Sequence, residues 1–268
     1  MTSLPQIDLS EKRALVTGGS KGMGLGIARA LLDCGARVAI VSNEPASLDA
    51  AQKELAAGGQ LLPIVADVTQ GDQMRRAVED AVAAFGGLTT LVNSAGIQRY
   101  GTITDTPENV WDDVMNVNVK GIFWAAKYAI PEIAAQGGGA VINLASVQAF
   151  ASQSNVAAYT ASKGAILALT RAMALDHAGA GVRVNTICPA SIDTPMLRWA
   201  ADLWKGDNTA EATIEAWGKG HPVGRVGRVD EVAAVAAFLA SDLCPFMTGA
   251  DIKIDGGVLS KLGIILPE

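Results

Sequence analysis

The chain has 268 residues, half of them hydrophobic and 18% charged, with a formal net charge of −6. This composition excludes a disordered chain, and a negative charge without a Lys/Arg run argues against a nucleic-acid or anionic-membrane partner, since either needs a basic footprint. No uncharged apolar run approaches the roughly 18 residues that span a bilayer, and the first twelve positions carry charge where a signal peptide has an apolar centre, so the expectation is a soluble, cytoplasmic protein.

Taken in chain order, short β-branched runs at 13–17, 37–41, 61–66, 88–92, 140–145 and 182–187 read as strands, and 251–254 as a last one. Helical patterns separate them. Strands that are apolar almost throughout belong to a parallel sheet covered on both sides, so the expected fold is α/β: a doubly wound parallel sheet of about seven strands with helices on both faces. The first crossover is punctuated by a strand at 13–17, a glycine-rich turn at 18–24, a helix at 25–33 and Gly35 as the stop. Further helices are expected over 109–130, 156–177 and 229–241. The stretch 194–221 breaks the rhythm with Pro195, Gly206 and Gly218 among Trp199, Trp204 and Trp217, and reads as a helical lid. No linker or repeat divides the chain, so a single domain over 1–268 is expected.

Thr17-Gly18-Gly19-Ser20-Lys21-Gly22-Met23-Gly24 lies between the first strand and its helix. Glycines there let the backbone approach a pyrophosphate, while the helix N-terminus offers free N–H groups and a favourable dipole. A plain tight turn is the alternative; its place in the first βαβ unit favours nucleotide binding. The end of the second strand meets the adenosine ribose, and Ser42 and Asn43 stand there with no acid closing the strand. With Lys21 in reach of a 2′-phosphate, NADP(H) is the favoured cofactor; Glu44, about 20 residues past the glycines, keeps NAD(H) open.

Ser146, Tyr159 and Lys163 are the most informative residues, the last two an i, i+4 pair on one helix face. At pH 7 about one tyrosine in a thousand is ionised, so using it as a base adds roughly 4 kcal/mol to a barrier. The Lys163 ammonium and an oxidised nicotinamide would lower that cost, and Ser146 would donate to the substrate oxygen. A surface Tyr and Lys beside a strand-end Ser is the alternative. Cys34, Cys188 and Cys244 are odd in number and widely spaced, and read as core thiols. His177 and His221 lack ligand partners at metal spacing, so no metal site and no catalytic histidine is expected.

These residues, in this order, resemble the short-chain dehydrogenase/reductase family over nearly the whole chain. Thr17 to Gly24 resembles its TGxxxGxG turn, Asp67 its adenine-contacting Asp, and Asn93-Ser94-Ala95-Gly96 its NNAG motif. Asn118, Ser146, Tyr159 and Lys163 fall where its catalytic tetrad belongs. Pro189-Ala190 stands where the family usually has Pro-Gly, and Thr194 where a hydroxyl meets the nicotinamide carboxamide; Ser94 and Ala190 are departures. The resemblance implies a Rossmann fold and cofactor contacts from Gly18, Ser20, Lys21, Gly22, Met23, Gly24, Ser42, Asn43, Asp67, Val68, Asn93, Ala95, Gly96, Tyr159, Lys163, Pro189, Ile192 and Thr194. It further implies hydride transfer between nicotinamide and a secondary alcohol or carbonyl, Tyr159 as acid/base, Lys163 on the nicotinamide ribose, and Asn118 holding a water that relays protons. Asn118 alternatively satisfies helix backbone.

In this family Gln98, Tyr100 and Gln148 face the hydride site, which with Ser146, Tyr159 and Trp199 suits a polyol, a sugar or a small cyclic hydroxyketone. A homotetramer is implied through the helices at 109–130 and 156–177 and through the last strand, and the apolar tail at 262–266 is expected to be buried, as against a neighbouring subunit. Two other classes remain: a nucleotide sensor or scaffold without chemistry, and an epimerase or dehydratase that returns its cofactor unchanged.

Overall fold

The computed structural model describes residues 7–261, so the apolar tail at 262–266 lies outside the described residues. Seven strands form one parallel sheet: β1 (Arg13–Thr17), β2 (Arg37–Ser42), β3 (Leu61–Val65), β4 (Thr90–Asn93), β5 (Gly139–Leu144), β6 (Val182–Pro189) and β7 (Asp251–Ile254), in the order β3-β2-β1-β4-β5-β6-β7. The helices are α1 (Gly22–Asp33), α2 (Pro45–Leu55), α3 (Gly71–Phe85), α4 (Glu108–Met115), α5 (Gly121–Ala135), α6 (Ala157–His177), α7 (Pro195–Trp204), α8 (Ala210–Lys219) and α9 (Val229–Ala240). The expected doubly wound sheet is present, with β1 and β7 at their expected bounds.

Alternation along each strand divides the core between the two faces. Leu15, Ala39, Val41, Leu91 and Val141 pack on one side with α3, α5 and α6. Ala14, Val16, Val38, Ile40 and Ile142 pack on the other with α1, α2 and α9. Because all pairs are parallel, every strand ends at one edge of the sheet. The chain winds outward from β1 to β3 and then restarts at β4 on the other side of β1, which opens a crevice at that reversal where α/β sheets bind ligands.

Two regions depart from the expected elements. The helix expected over 109–130 is two helices joined by a π turn over Asn116–Lys120. One extra residue in a turn shifts the facing of everything after it by about 100°, and here Asn118 is fully buried. The lid is likewise two helices, α7 and α8. Its return is pinned by the Arg225–Glu231 pair at 2.7 Å, and Gly227 bridges back to Ile192. Among the described residues no helix is long and apolar enough to cross a membrane.

Candidate active site

The glycine turn is built for close approach. Gly18 has φ +63°, and a Cβ there would stand 2.7 Å from the Ala95 backbone; at Gly24 it would stand 2.1 Å from the Gly18 carbonyl oxygen. The chain therefore folds onto itself too tightly for any side chain at these two points. α1 begins with no side-chain cap and no acid in its first turn, which leaves its N–H groups and dipole free for an anion. Thr194 and Pro195 lie 3.6 Å from where a Cβ of Gly22 would be, so the loop after β6 faces this turn. These features fit a dinucleotide pyrophosphate.

At the end of β2 the hydroxyl of Ser20 meets that of Ser47 at 2.8 Å, and Ser42 meets Ser47 at 3.3 Å. Above this cluster the Lys21 ammonium is paired with Glu44, both half-exposed. Lys21 and Glu44, which the sequence sets against each other, are thus joined. Asp67 holds the following turn by accepting from the Thr69 amide at 2.8 Å. Val68 is buried against α5 near Gly121. Asn93 is buried with its side-chain amide donating to Asn143 at 2.8 Å, a pair directly in register across β4 and β5. Its side chain therefore braces the sheet, leaving the backbone at 93–96 as what faces the crevice. Thr194 caps α7 and donates to the Ile192 carbonyl.

Ser146 follows β5, while Tyr159 and Lys163 lie one turn apart on α6; all three are buried. Lys163 Nζ donates to the Leu144 carbonyl at 2.9 Å and sits 5.3 Å from the Tyr159 ring centroid. Burial pushes the Tyr159 phenol up to about 12, against a smaller downward pull from the Ser146 hydroxyl. Lys163 was expected to draw Tyr159 down, but within the chain alone burial wins. The same burial lowers Lys163 to about 8, so at pH 7 it remains mainly an ammonium. A Cβ at Gly96 would stand 3.7 Å from Lys163 Nζ and 3.4 Å from Asn118 Oδ1, so the loop after β4 closes over both. The Asn118 side chain accepts from the Ile97 amide at 2.8 Å and donates to the Ile97 carbonyl and to Ser162, each at 3.0 Å.

A cavity of about 820 Å³ joins these parts, running from Met23 past Ser146, Tyr159, Pro189 and Ile192 to the lid. Gln98, Tyr100 and Gln148 line it as expected. Trp199 does not: it lies 45% exposed outside the lining and stacks on Tyr100 with ring centroids 5.8 Å apart. Trp204 and Trp217 line the cavity in its place. The sequence reading also missed Ser47, Ser162 and His221. Ser162 was findable, three residues beyond Tyr159 on the same buried face; a lone serine in α2 and a lone histidine carry no such signal. Among the described residues no group of His, Cys, Asp or Glu could hold a metal ion. The three cysteines are free, Cys188 and Cys244 buried and Cys34 part-exposed.

A family model described as Enoyl-(Acyl carrier protein) reductase matches residues 18–259. The chain is 41% identical to the galactitol 2-dehydrogenase (L-tagatose-forming) of Cereibacter sphaeroides, over 91% of this chain and 93% of that one. It is 37% identical to 2-(S)-hydroxypropyl-CoM dehydrogenase 3 of Xanthobacter autotrophicus, over 91% and 94%. Thermoplasma acidophilum aldohexose dehydrogenase has a similar solved structure, with a TM-score of 0.88 at 36% identity, covering 96% of this chain and 97% of that one. The chain belongs to the short-chain dehydrogenase/reductase family. It is an oxidoreductase of CH–OH groups, and the dehydrogenases of this family use nicotinamide cofactors.

The buried lysine sets a pH dependence. Its folded value of about 8 lies below the ordinary 10.5, so between these limits the unfolded chain binds the extra proton and stability rises with pH, while below about 8 the burial cost is present in full. The stability of the native enzyme minus that of Lys163→Met is expected to rise by up to about 3 kcal/mol across that window. Urea unfolding at a series of pH values measures it, and a flat difference would show that burial does not perturb Lys163.

Proposed function

We propose that Tyr159 is the acid/base of this enzyme, giving its phenolic proton to the substrate oxygen in reduction and taking it back in oxidation. The observation that carries this is the convergence of Ser146 and Tyr159 on one cavity with Lys163 buried behind them. The nicotinamide supplies or accepts the hydride and, when oxidised, brings positive charge beside the phenol. A phenol held near 12 is fully protonated at neutral pH and ready to act as an acid. For oxidation the phenolate must form, and the Lys163 ammonium stabilises it across a short, dry distance. Ser146 donates to the substrate oxygen as charge develops there. Asn118 holds a water that carries protons between Lys163 and solvent.

Gly18, Ser20, Gly22, Met23 and Gly24 hold the pyrophosphate end, Asp67 and Val68 the adenine, the backbone of Asn93, Ala95 and Gly96 the middle, and Pro189, Ile192 and Thr194 the nicotinamide. NADP(H) is the favoured form, because the end of β2 presents the Ser20, Ser42 and Ser47 hydroxyls with Asn43, and Lys21 lies alongside. The chain works as a single domain whose lid, over 194–221, closes the substrate cavity. Gln98 and Gln148 offer amides to a polyol, sugar or cyclic hydroxyketone. Among the described residues no Asp, Glu, Lys or Arg lines the cavity, which favours a neutral substrate. Three free cysteines fit work in the cytoplasm.

The enzyme assembles as a homotetramer. Phe123 on α5, Leu175 on α6 and Phe246 before β7 are large, apolar and 45%, 82% and 103% exposed, on the elements expected to meet neighbours. Sedimentation at micromolar concentration is expected to show four chains; a monomer would remove this reading. Tyr159→Phe is expected to retain cofactor binding and lose at least about a thousandfold in turnover, read from reduced-nicotinamide absorbance. Turnover that survives would exclude the tyrosine mechanism, and native turnover without net absorbance change would point to an internal redox cycle. Lys21→Ala is expected to weaken NADPH binding about tenfold and leave NADH within about twofold; equal effects on both, in fluorescence titrations, would remove Lys21 as the phosphate partner.

A further inference from the structure

The turn that follows α8 brings His221 into the wall of the cavity, 8% exposed. Its ring Nδ1 lies 3.0 Å from the Trp217 carbonyl oxygen. A carbonyl only accepts, so Nδ1 carries the proton of this contact, and in the neutral ring Nε2 is left as a bare acceptor. Among the described residues nothing donates to Nε2.

The ring is also held in place. The His221 amide donates to the Gly218 carbonyl at 3.0 Å, and its own carbonyl accepts from Gly224 at 2.8 Å. A Cβ built on Gly256 would stand 3.7 Å from Cδ2, so the loop after β7 backs the imidazole. An acceptor that the described residues leave unpaired in a cavity wall is met by water or by a ligand that supplies the donor. Among the described residues no Asp, Glu, Lys or Arg lines the cavity, so a charged substrate group would find no oppositely charged side chain in its wall, whereas a hydroxyl needs only this acceptor and the glutamine amides.

We propose that His221 Nε2 accepts a hydrogen bond from a second hydroxyl of the substrate, away from the carbon that reacts. His221 is thereby a specificity-determining residue that selects neutral diols, polyols and hydroxyketones over mono-alcohols of the same skeleton. This rests on the reading of the cavity as the substrate site.

The test compares cyclohexanol with the three positional isomers of cyclohexanediol, which differ by one hydroxyl at three spacings. His221→Asn keeps a donor at the Nδ1 position for the Trp217 carbonyl and deletes Nε2. It is expected to raise KM for the preferred diol roughly tenfold while leaving kcat and KM for cyclohexanol within about twofold. His221→Gln, whose amide reaches the Nε2 position, is expected to recover most of the diol KM. Calorimetric titration of the same diol into the native protein and His221→Asn, without cofactor, reads the contact independently of turnover. A preference for the diol that vanishes in His221→Asn, by kinetics or by calorimetry, supports the proposal. Equal losses for cyclohexanol and every diol, or no change for any, overturn it. If no alcohol is oxidised yet calorimetry shows diol binding that His221→Asn loses, the catalytic reading fails and the assignment of His221 stands.

Discussion

The site depends on one buried amide. Asn118, on the π turn between α4 and α5, binds both backbone groups of Ile97 and the hydroxyl of Ser162, and so ties the loop after β4 to α6 between Tyr159 and Lys163. Ser162 passes the tie on by donating to the Tyr159 carbonyl at 2.7 Å. An ordinary helical turn at 116–120 would rotate Asn118 away from both partners, so the irregular turn is the means of placing it. The backbone that the Asn118 side chain satisfies is thus that of the loop at Ile97, not that of a helix, and the tie lies beside Lys163. Losing it would leave the part-buried Ile97 N–H and C=O without these partners.

Around that tie the chain opposes two burial effects. Tyr159 is pushed up by the same dry surroundings that push Lys163 down, so the pair is kept as phenol and weakened ammonium. Among the described residues no carboxylate lines the cavity to pair with the ammonium. A low dielectric strengthens the attraction between the ammonium and any phenolate formed, so the cost of burial is returned when charge develops on the tyrosine. Among the described residues Lys163 Nζ donates to the Leu144 carbonyl and lies 5.3 Å from the Tyr159 ring centroid, near enough for its charge to act on a phenolate.

How much of this was legible follows from what periodicity encodes. β1 stands where its apolar run placed it, since a buried parallel strand has no polar face to blur its ends; β7, part-exposed at the sheet edge, is bounded instead by the Asp255-Gly256-Gly257 turn that follows it. Tyr159 and Lys163 could be paired because four residues on a helix is a fixed geometry. The π turn was hidden, because apolar spacing is helical on either side of Asn116–Lys120 and one inserted residue leaves no compositional trace. Trp199 was placed in the cavity and Trp204 left out because the sequence does not encode which way a lid helix faces. Five positions on a helix is about 140° of rotation, so the two rings leave α7 in different directions, and Tyr100 meets both, Trp199 stacked at 5.8 Å and Trp204 edge-on at 5.2 Å. Asn93 was read as a cofactor contact from its motif, whereas its side chain braces Asn143, a role that only register reveals.

The adenosine end shows how a small electrostatic difference separates two cofactors. The Lys21–Glu44 pair is solvent-exposed on both sides, and such pairs contribute at most about 1 kcal/mol, so its partners exchange readily. The hydroxyls of Ser20, Ser42 and Ser47 are the reverse: inward-facing, mutually bonded and fixed by the start of α2, where Ser47 donates to the Glu44 carbonyl at 2.8 Å. A 2′-phosphate would compete with Glu44 for Lys21, setting a near-dianion against the ammonium. A free 2′-hydroxyl would leave the ion pair intact and donate one charge-assisted hydrogen bond to the Glu44 carboxylate. Both forms would therefore find a charge-assisted partner at the end of β2, the phosphate in Lys21 and the free hydroxyl in Glu44. The outcome turns on whether Glu44 keeps its lysine, and the fold itself takes no side.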